Sequence, residues 1–358
     1  MVPKVLTRPF GRLPTGELVE AFTLANSCGA SAEILTYGGV VAALRVPDCH
    51  GCIGDVVLGF DTLSRYLAGH AFFGAITGRV AGRITGACFT LEGRTYRLAC
   101  NHPPNHLHGG RVGFDKRLWD AHPCDRADGA ASLRLTYHSP DGEEGYPGAV
   151  DVTVTYTLTA TNEFIIDTEA TTDRATPFSL TNHSYFNLAG EAAGTIADHT
   201  LQICADAFAS TDEHMTLLGR RVSVAGRPND FNQGRRIGDA LPHLFQHHGD
   251  LYLVRRPTDL GDDARTLVHI ARVSEPRSGR VLTVSTTEPC LQFYTGVALD
   301  SSLVGKSGRP YGPYAGLCLE CEGYPDAVNT PGFGDIVIRP GRPQRTRTVY
   351  AFPSMGSP

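Results

Sequence analysis

The sequence predicts an all-β protein, and three observations carry that prediction. Apolar and polar residues alternate in run after run, few windows show helical periodicity, and 40 glycines and 23 prolines supply turns between the runs. The first strand-like run is V-V-A-A-L-R-V at 40–46. D-T-L-S-R-Y-L at 61–67, an acidic residue ahead of a short apolar period, predicts a small helix. L-R-L-T-Y at 133–137 is again a strand, and S-P-D-G-E-E-G-Y-P-G at 139–148 follows with the turn residues of a long hairpin connection. The clearest strand comes next: Val150, Val152, Val154, Tyr156 and Leu158 share one face, with Asp151 and threonines on the other. E-F-I-I-D-T-E-A (163–170), a second small helix near R-R-I-G-D-A-L (235–241), R-V-L-T-V-S-T-T (280–287) and L-Q-F-Y-T-G (291–296) complete the pattern. No fixed-period repeat and no Pro/Ser-rich or highly charged linker divides the chain, so one domain over 1–358 is expected.

Composition narrows the function classes. With 41% hydrophobic and 19% charged residues in 358, the chain has the make-up of a soluble globular protein, and no apolar run approaches the roughly 20 residues of a membrane span. The amino terminus, M-V-P-K-V-L-T-R-P-F-G, has charge and proline where a secretory signal needs an apolar stretch, so a cytoplasmic location is expected. A formal net charge of -5 with scattered basic residues gives no attraction to nucleic acid or to an anionic membrane; the expected partner is a small molecule. Ten cysteines in a chain of this length and expected location read as thiols. Cys318 and Cys321 lie in a strand pattern and should point to opposite faces. Cys49 and Cys52 sit in the polar turn D-C-H-G-C, where a zinc ion or a disulfide is geometrically possible but no second ligand pair stands nearby.

Three segments carry candidate chemistry. In N-H-P-P-N-H-L-H-G-G (101–110), His106 and His108 share a face of an extended segment and, with His102 or the His247/His248 pair, suggest a metal site. Nothing local completes a ligand set, and no metal is expected; the paired glycines instead imply a tight turn with close backbone approach. In L-T-N-H-S-Y-F-N-L-A-G (180–190), His183 has polar neighbours able to fix its tautomer and aromatic neighbours able to exclude water, as either a structural or a functional imidazole would. In L-C-L-E-C-E-G-Y-P-D-A (317–327), alternation puts Cys318, Glu320 and Glu322 on one face. Two partly desolvated carboxylates side by side would raise at least one pKa and make a base, whereas a solvated face would make them ordinary glutamates.

These segments, with D-V-V-L-G-F (55–60), G-R-V-A-G-R-I (78–84), N-H-L-H-G-G-R-V-G-F-D-K-R-L-W (105–119), S-P-D-G-E-E-G-Y-P-G, L-Q-F-Y-T-G and L-C-L-E-C-E-G-Y-P-D-A-V-N (317–329), resemble the aldose 1-epimerases, the galactose mutarotases, from about residue 10 onward. The resemblance implies a single large antiparallel β-sandwich, a supersandwich, with a sugar cleft on one concave face and no metal or organic cofactor. It implies interconversion of the α and β anomers of a free aldohexose such as D-galactose or D-glucose, by a monomer or homodimer. A non-catalytic carbohydrate-binding sandwich, or an epimerase for a different aldose, is the alternative. By the same resemblance Glu320 is the base and His183 the acid at the ring oxygen. His108 lies near that oxygen, Arg83 and Gln292 meet sugar hydroxyls, and Asp250 accepts a bond from a ring hydroxyl. His106 is expected to be structural, and Arg79 stands with Arg83 as the only candidates for a phosphate-binding pair.

Four departures from the family pattern bear on substrate choice. Gly82 replaces the Asn that commonly precedes the binding arginine, and Glu322 replaces a glutamine near the base. In H-G-D-L-Y-L-V (248–254) Leu251 stands where a histidine is usual, and M-T-L-L-G (215–219) replaces a P-T-G-E segment.

Overall fold

The strand Val150–Leu158 shows why these residues fold as they do. Val150, Val152, Val154, Tyr156 and Leu158 are buried in one core while Asp151 is exposed, as the alternation requires. In the computed structural model, which describes residues 4–69, 71–124, 128–256 and 266–353, this strand is the third of a nine-stranded sheet. Its order is Asp120–Cys124, Ala131–Ser139, Val150–Leu158, Glu163–Thr172, Gln344–Ala351, Val281–Thr286, Val268–Ser274, Thr200–Ile203 and Arg235–Arg236. The connection 139–148 joins two strands paired in antiparallel register, Ser139 opposite Val150. Both small helices form, as Leu63–Ala68 and Ile237–Ala240. Among the described residues no helix is long and apolar enough to cross a membrane.

A six-stranded sheet carries the site. Its order is Tyr185–Phe186, Leu317–Glu322, Cys290–Tyr294, Leu251–Leu253, Ala207–Thr211 and Leu217–Ser223, all neighbours antiparallel. Leu317, Leu319 and Cys321 point into the core shared with the nine-stranded sheet, where the Tyr350 hydroxyl donates to Leu319 O at 2.9 Å. Cys318 packs on the opposite face with Tyr185 and Tyr294. The two cysteines therefore lie back to back, and all ten cysteines are unpaired. The amino-terminal sheet, Lys4–Arg12 to Ile53–Asp55, supplies apolar side chains to both of these clusters.

Two loops complete the concave side. Arg83–Ile84 pairs with His106–Leu107, and the His108 amide donates to Gly82 O. His108 itself has a left-handed backbone (φ +48°), and the next residue must be glycine, because a Cβ at Gly109 would fall 1.6 Å from Gly78 O. The 139–148 connection locks this loop. Glu144 accepts from the amides of Arg111 and Val112, and Arg117 pairs with Glu143 at 2.8 Å. Arg79 is buried and donates to the carbonyls of Ser139, Pro140, Pro147 and Gly148 while lying 5.5 Å from the Tyr146 ring. Arg79 thus serves the loop and has no free fork for a phosphate.

Candidate active site

Backbone pairing fixes His183 before any side chain acts. Thr181–Asn182 pairs with Ile76–Thr77, the His183 amide donates to Ala75 O, and Gly74 N donates to His183 O. Its ring is stacked between Phe72 (centroids 5.6 Å, 28°) and Tyr185 (5.0 Å, 29°), which leaves the edge for chemistry. One nitrogen, Nδ1, lies 3.6 Å from Cys318 Sγ; the other, Nε2, lies 3.6 Å from Glu320 Oε2. That second separation is just beyond a hydrogen bond, so the two groups stand side by side and can meet adjacent oxygens of one ligand from the same side.

Glu320 is 3% exposed. Burial raises its pKa well above the usual carboxylate range, and the Arg83 guanidinium pulls it part of the way back. Glu322, 2% exposed, is raised still more strongly, first by burial and then by the charges of Glu320 and Glu288. With two carboxyl groups on one strand face, the Arg83 charge favours ionisation of Glu320 more than of Glu322. The solvated reading of this face is excluded by burial. His108 is buried and its pKa falls well below the ordinary value, chiefly by desolvation and then by His183. Its Nδ1 accepts from the Gly82 amide at 3.2 Å, so the neutral ring carries its proton on Nε2 and presents a donor.

These side chains line one cavity of about 310 Å³, at the lower end of the volumes typical of small-molecule sites. His108, His183, Glu320, Arg83 and Gln292 are all on its wall, so five of the six residues named from the sequence are brought together. Asp250 is the exception. Its carboxylate accepts from Asn229 Nδ2 at 2.9 Å and lines a separate shallow cavity with Phe208, Arg227 and His243. Leu251 faces the cleft, so alternation turns its neighbour Asp250 to the other side of the strand, where Tyr252 also points. The left-handed Gly249 (φ +100°), where a Cβ would lie 2.3 Å from Phe293 O, breaks the alternation for His248, which lines the cleft as well. The expected bond from Asp250 to a ring hydroxyl is accordingly withdrawn.

No motif signals Phe72, and His248 stands out only as half of a histidine pair weighed for a metal site. Phe72 comes from a loop remote in sequence and touches both imidazoles, with its centroid 4.7 Å from that of His108. His248 packs against Tyr294 (4.4 Å), and burial lowers its pKa to about 4. Tyr294 was legible in L-Q-F-Y-T-G, two residues from Gln292 and hence on its face. His106 is structural, as expected: its Nδ1 and Nε2 meet Ala99 O (2.7 Å) and the Tyr146 hydroxyl (2.8 Å). A different trio does converge. One donor atom each from His108, His183 and Glu320 lies within 4.8 Å of the others, a set with the composition of a His₂Glu cation site. The same closeness is what proton transfer across one small ligand requires.

With this geometry in view, comparison with known proteins decides the family. A family model described as aldose 1-epimerase matches residues 20–351. The chain belongs to the aldose 1-epimerase family. It is 42% identical to galactose mutarotase of Sus scrofa, over 96% of this chain and 97% of that one. It is 33% identical to aldose 1-epimerase of Escherichia coli K12, over 95% and 96% respectively. Among solved structures, a GalM/aldose epimerase homologue from C. elegans superposes with a TM-score of 0.84 at 28% identity, covering 98% of this chain and 99% of that one. A galactose 1-epimerase from Lactobacillus acidophilus gives 0.84 at 26% identity, covering 98% of each. The antiparallel sandwich expected from the motifs is thus the fold observed.

Proposed function

We propose that this chain is an isomerase that interconverts the α and β anomers of a free aldohexose such as D-galactose or D-glucose, with Glu320 as base and His183 as acid. The observation that carries the assignment is the buried pair itself: a carboxylate and an imidazole 3.6 Å apart, facing one cavity of monosaccharide size. Ring opening takes a proton from the anomeric hydroxyl to Glu320 while protonated His183 gives one to the ring oxygen. The C1–O5 bond breaks as the C1 carbonyl forms. After rotation about C1–C2, the O5 hydroxyl attacks the other carbonyl face, its proton returns to His183, and Glu320 returns its proton to O1. Both groups end as they began, and no group is transferred.

The surroundings support these roles. Arg83 stabilises the ionised carboxylate, and the His108 Nε2–H is a donor for an acetal oxygen. Stacking by Phe72 and Tyr185 keeps the His183 ring edge-on to the cleft. Ten unpaired cysteines fit a reducing, cytoplasmic compartment, and the working unit is a monomer or homodimer, which size-exclusion chromatography would determine. The direct test follows the optical rotation of freshly dissolved α-D-glucose and α-D-galactose. Catalysed decay toward the equilibrium anomer mixture is expected; no acceleration with any common aldose would refute the proposal.

A further inference from the structure

A buried acceptor with nothing to accept from is costly, and proteins seldom keep one without a use. Glu322 Oε2 is such an atom: it is buried, and among the described residues no donor reaches it. The Glu322 backbone carbonyl is occupied, by Cys290 Sγ–H at 3.0 Å, but the side chain lies on the wall of the cleft. On the same wall Arg83 Nε, also buried, lacks an acceptor. Gly82 lies beside the carboxyl group, an added Cβ coming to 3.7 Å from Glu322 Oε1, and packs so closely on the Pro325 ring that the Cβ would collide with it.

We infer that Glu322 is a specificity-determining residue that hydrogen-bonds the hydroxyl on C3 or C4 of the bound aldopyranose. This deepens the proposed epimerase reading and rests on it. The spacing selects the hydroxyl. Glu320 and Glu322 are alternate residues of one extended strand, so their side chains emerge about 6.6–6.8 Å apart along the sheet. With O1 held at Glu320, the neighbouring C2 hydroxyl is too close to O1 to span that distance, whereas the hydroxyls of C3 and C4 lie across the ring. Because burial beside Glu320 favours the protonated carboxyl group, Glu322 offers both a donor and an acceptor, as an amide would.

The test measures kcat/KM for mutarotation of D-glucose and its 2-deoxy, 3-deoxy and 4-deoxy analogues, in the unaltered protein and in Glu322→Leu and Glu322→Gln. Leucine is expected to lower kcat/KM about 10- to 100-fold on glucose and 2-deoxyglucose, the loss of one buried hydrogen bond. The loss should fall to within about threefold on either the 3-deoxy or the 4-deoxy sugar. Glutamine should stay close to the unaltered protein on all four sugars. A leucine penalty equal on every sugar, absent from every sugar, or relieved only on the 2-deoxy analogue would overturn the inference. If the leucine variant does not fold by circular dichroism, a sugar-soaked crystal of the unaltered protein decides. O3 or O4 should lie within hydrogen-bond reach of Glu322, and their absence there would refute the contact. Failure of the unaltered protein to accelerate mutarotation of glucose, galactose or any other aldose would instead refute the underlying epimerase reading.

Discussion

The two sides of the cleft are built from one sheet but have opposite chemistry. Along a single cross-strand row, Glu320 stands opposite Gln292, Gln292 opposite Leu251, and Leu251 opposite Ala209. In two strand spacings the floor passes from acid through amide to the hydrocarbon of Leu251, and Met215 and Leu217 extend that end beside the hydroxyls of Thr211 and Thr216. The proposed proton transfer and hydroxyl recognition thereby fall on the strands Leu317–Glu322 and Cys290–Tyr294 with the loops above them. The other side contributes contact and exclusion of water. Polar chemistry and apolar contact fall on different strands, so they should respond separately to substitution.

The largest effect should come from the polar side. Glu320→Gln keeps size and removes the base; kcat is expected to fall roughly 10²- to 10⁴-fold by polarimetry, with an unchanged circular dichroism spectrum. Arg83→Met should act on both recognition and base strength. kcat/KM is expected to drop about 10- to 100-fold through loss of a charged hydrogen-bonding group. The pH profile supplies the sign. Glu320 works only when ionised and its pKa is raised by burial, so activity is present above that pKa and lost as pH falls through it. Arg83 lowers the pKa; removing it should move the acid limb of kcat/KM to higher pH.

Substitution on the apolar side should sharpen the contrast with less loss of chemistry. Leu251→Asn places a hydrogen-bonding group beside Gln292, and is expected to change relative kcat/KM among aldoses by up to about tenfold while kcat on the best sugar stays within about threefold. A kcat loss matching that of Glu320→Gln would erase the distinction between the two sides. The smallest expected effect is that of chelation. The His108, His183 and Glu320 donors are close enough to hold a cation, yet acid–base ring opening needs none. Activity should survive dialysis against a chelator, with no stoichiometric zinc in the purified protein by elemental analysis.

Legibility in the sequence followed the regularity of the backbone. Val150–Leu158 and Leu317–Glu322 are uninterrupted strands, so alternation alone placed Tyr156 in the core and Cys318, Glu320 and Glu322 on one face. Whether that face was wet or buried was not legible, because it depends on loops 71–84 and 105–110 folding over it from far along the chain. His183 was visible as a motif, but its Phe72 neighbour was not, since nothing in a one-dimensional pattern pairs two loops. Asp250 missed for a local reason: the face of the three-residue strand that follows it is set by Leu251, and alternation then turns Asp250 away from the cleft. The 139–148 motif carried no catalytic group; its glycines, acids and carbonyls hold Arg79 and the His108 loop in place.

Glu320 and His183 are proposed to act as one proton-transfer unit. The most direct test compares Glu320→Gln, His183→Asn and the double variant by anomer-exchange NMR on D-galactose. Groups that act as a unit lose most of their effect when either is removed, so the double variant should be no slower than about threefold below the slower single variant. Losses that multiply, or a His183→Asn protein with undiminished exchange, would contradict it.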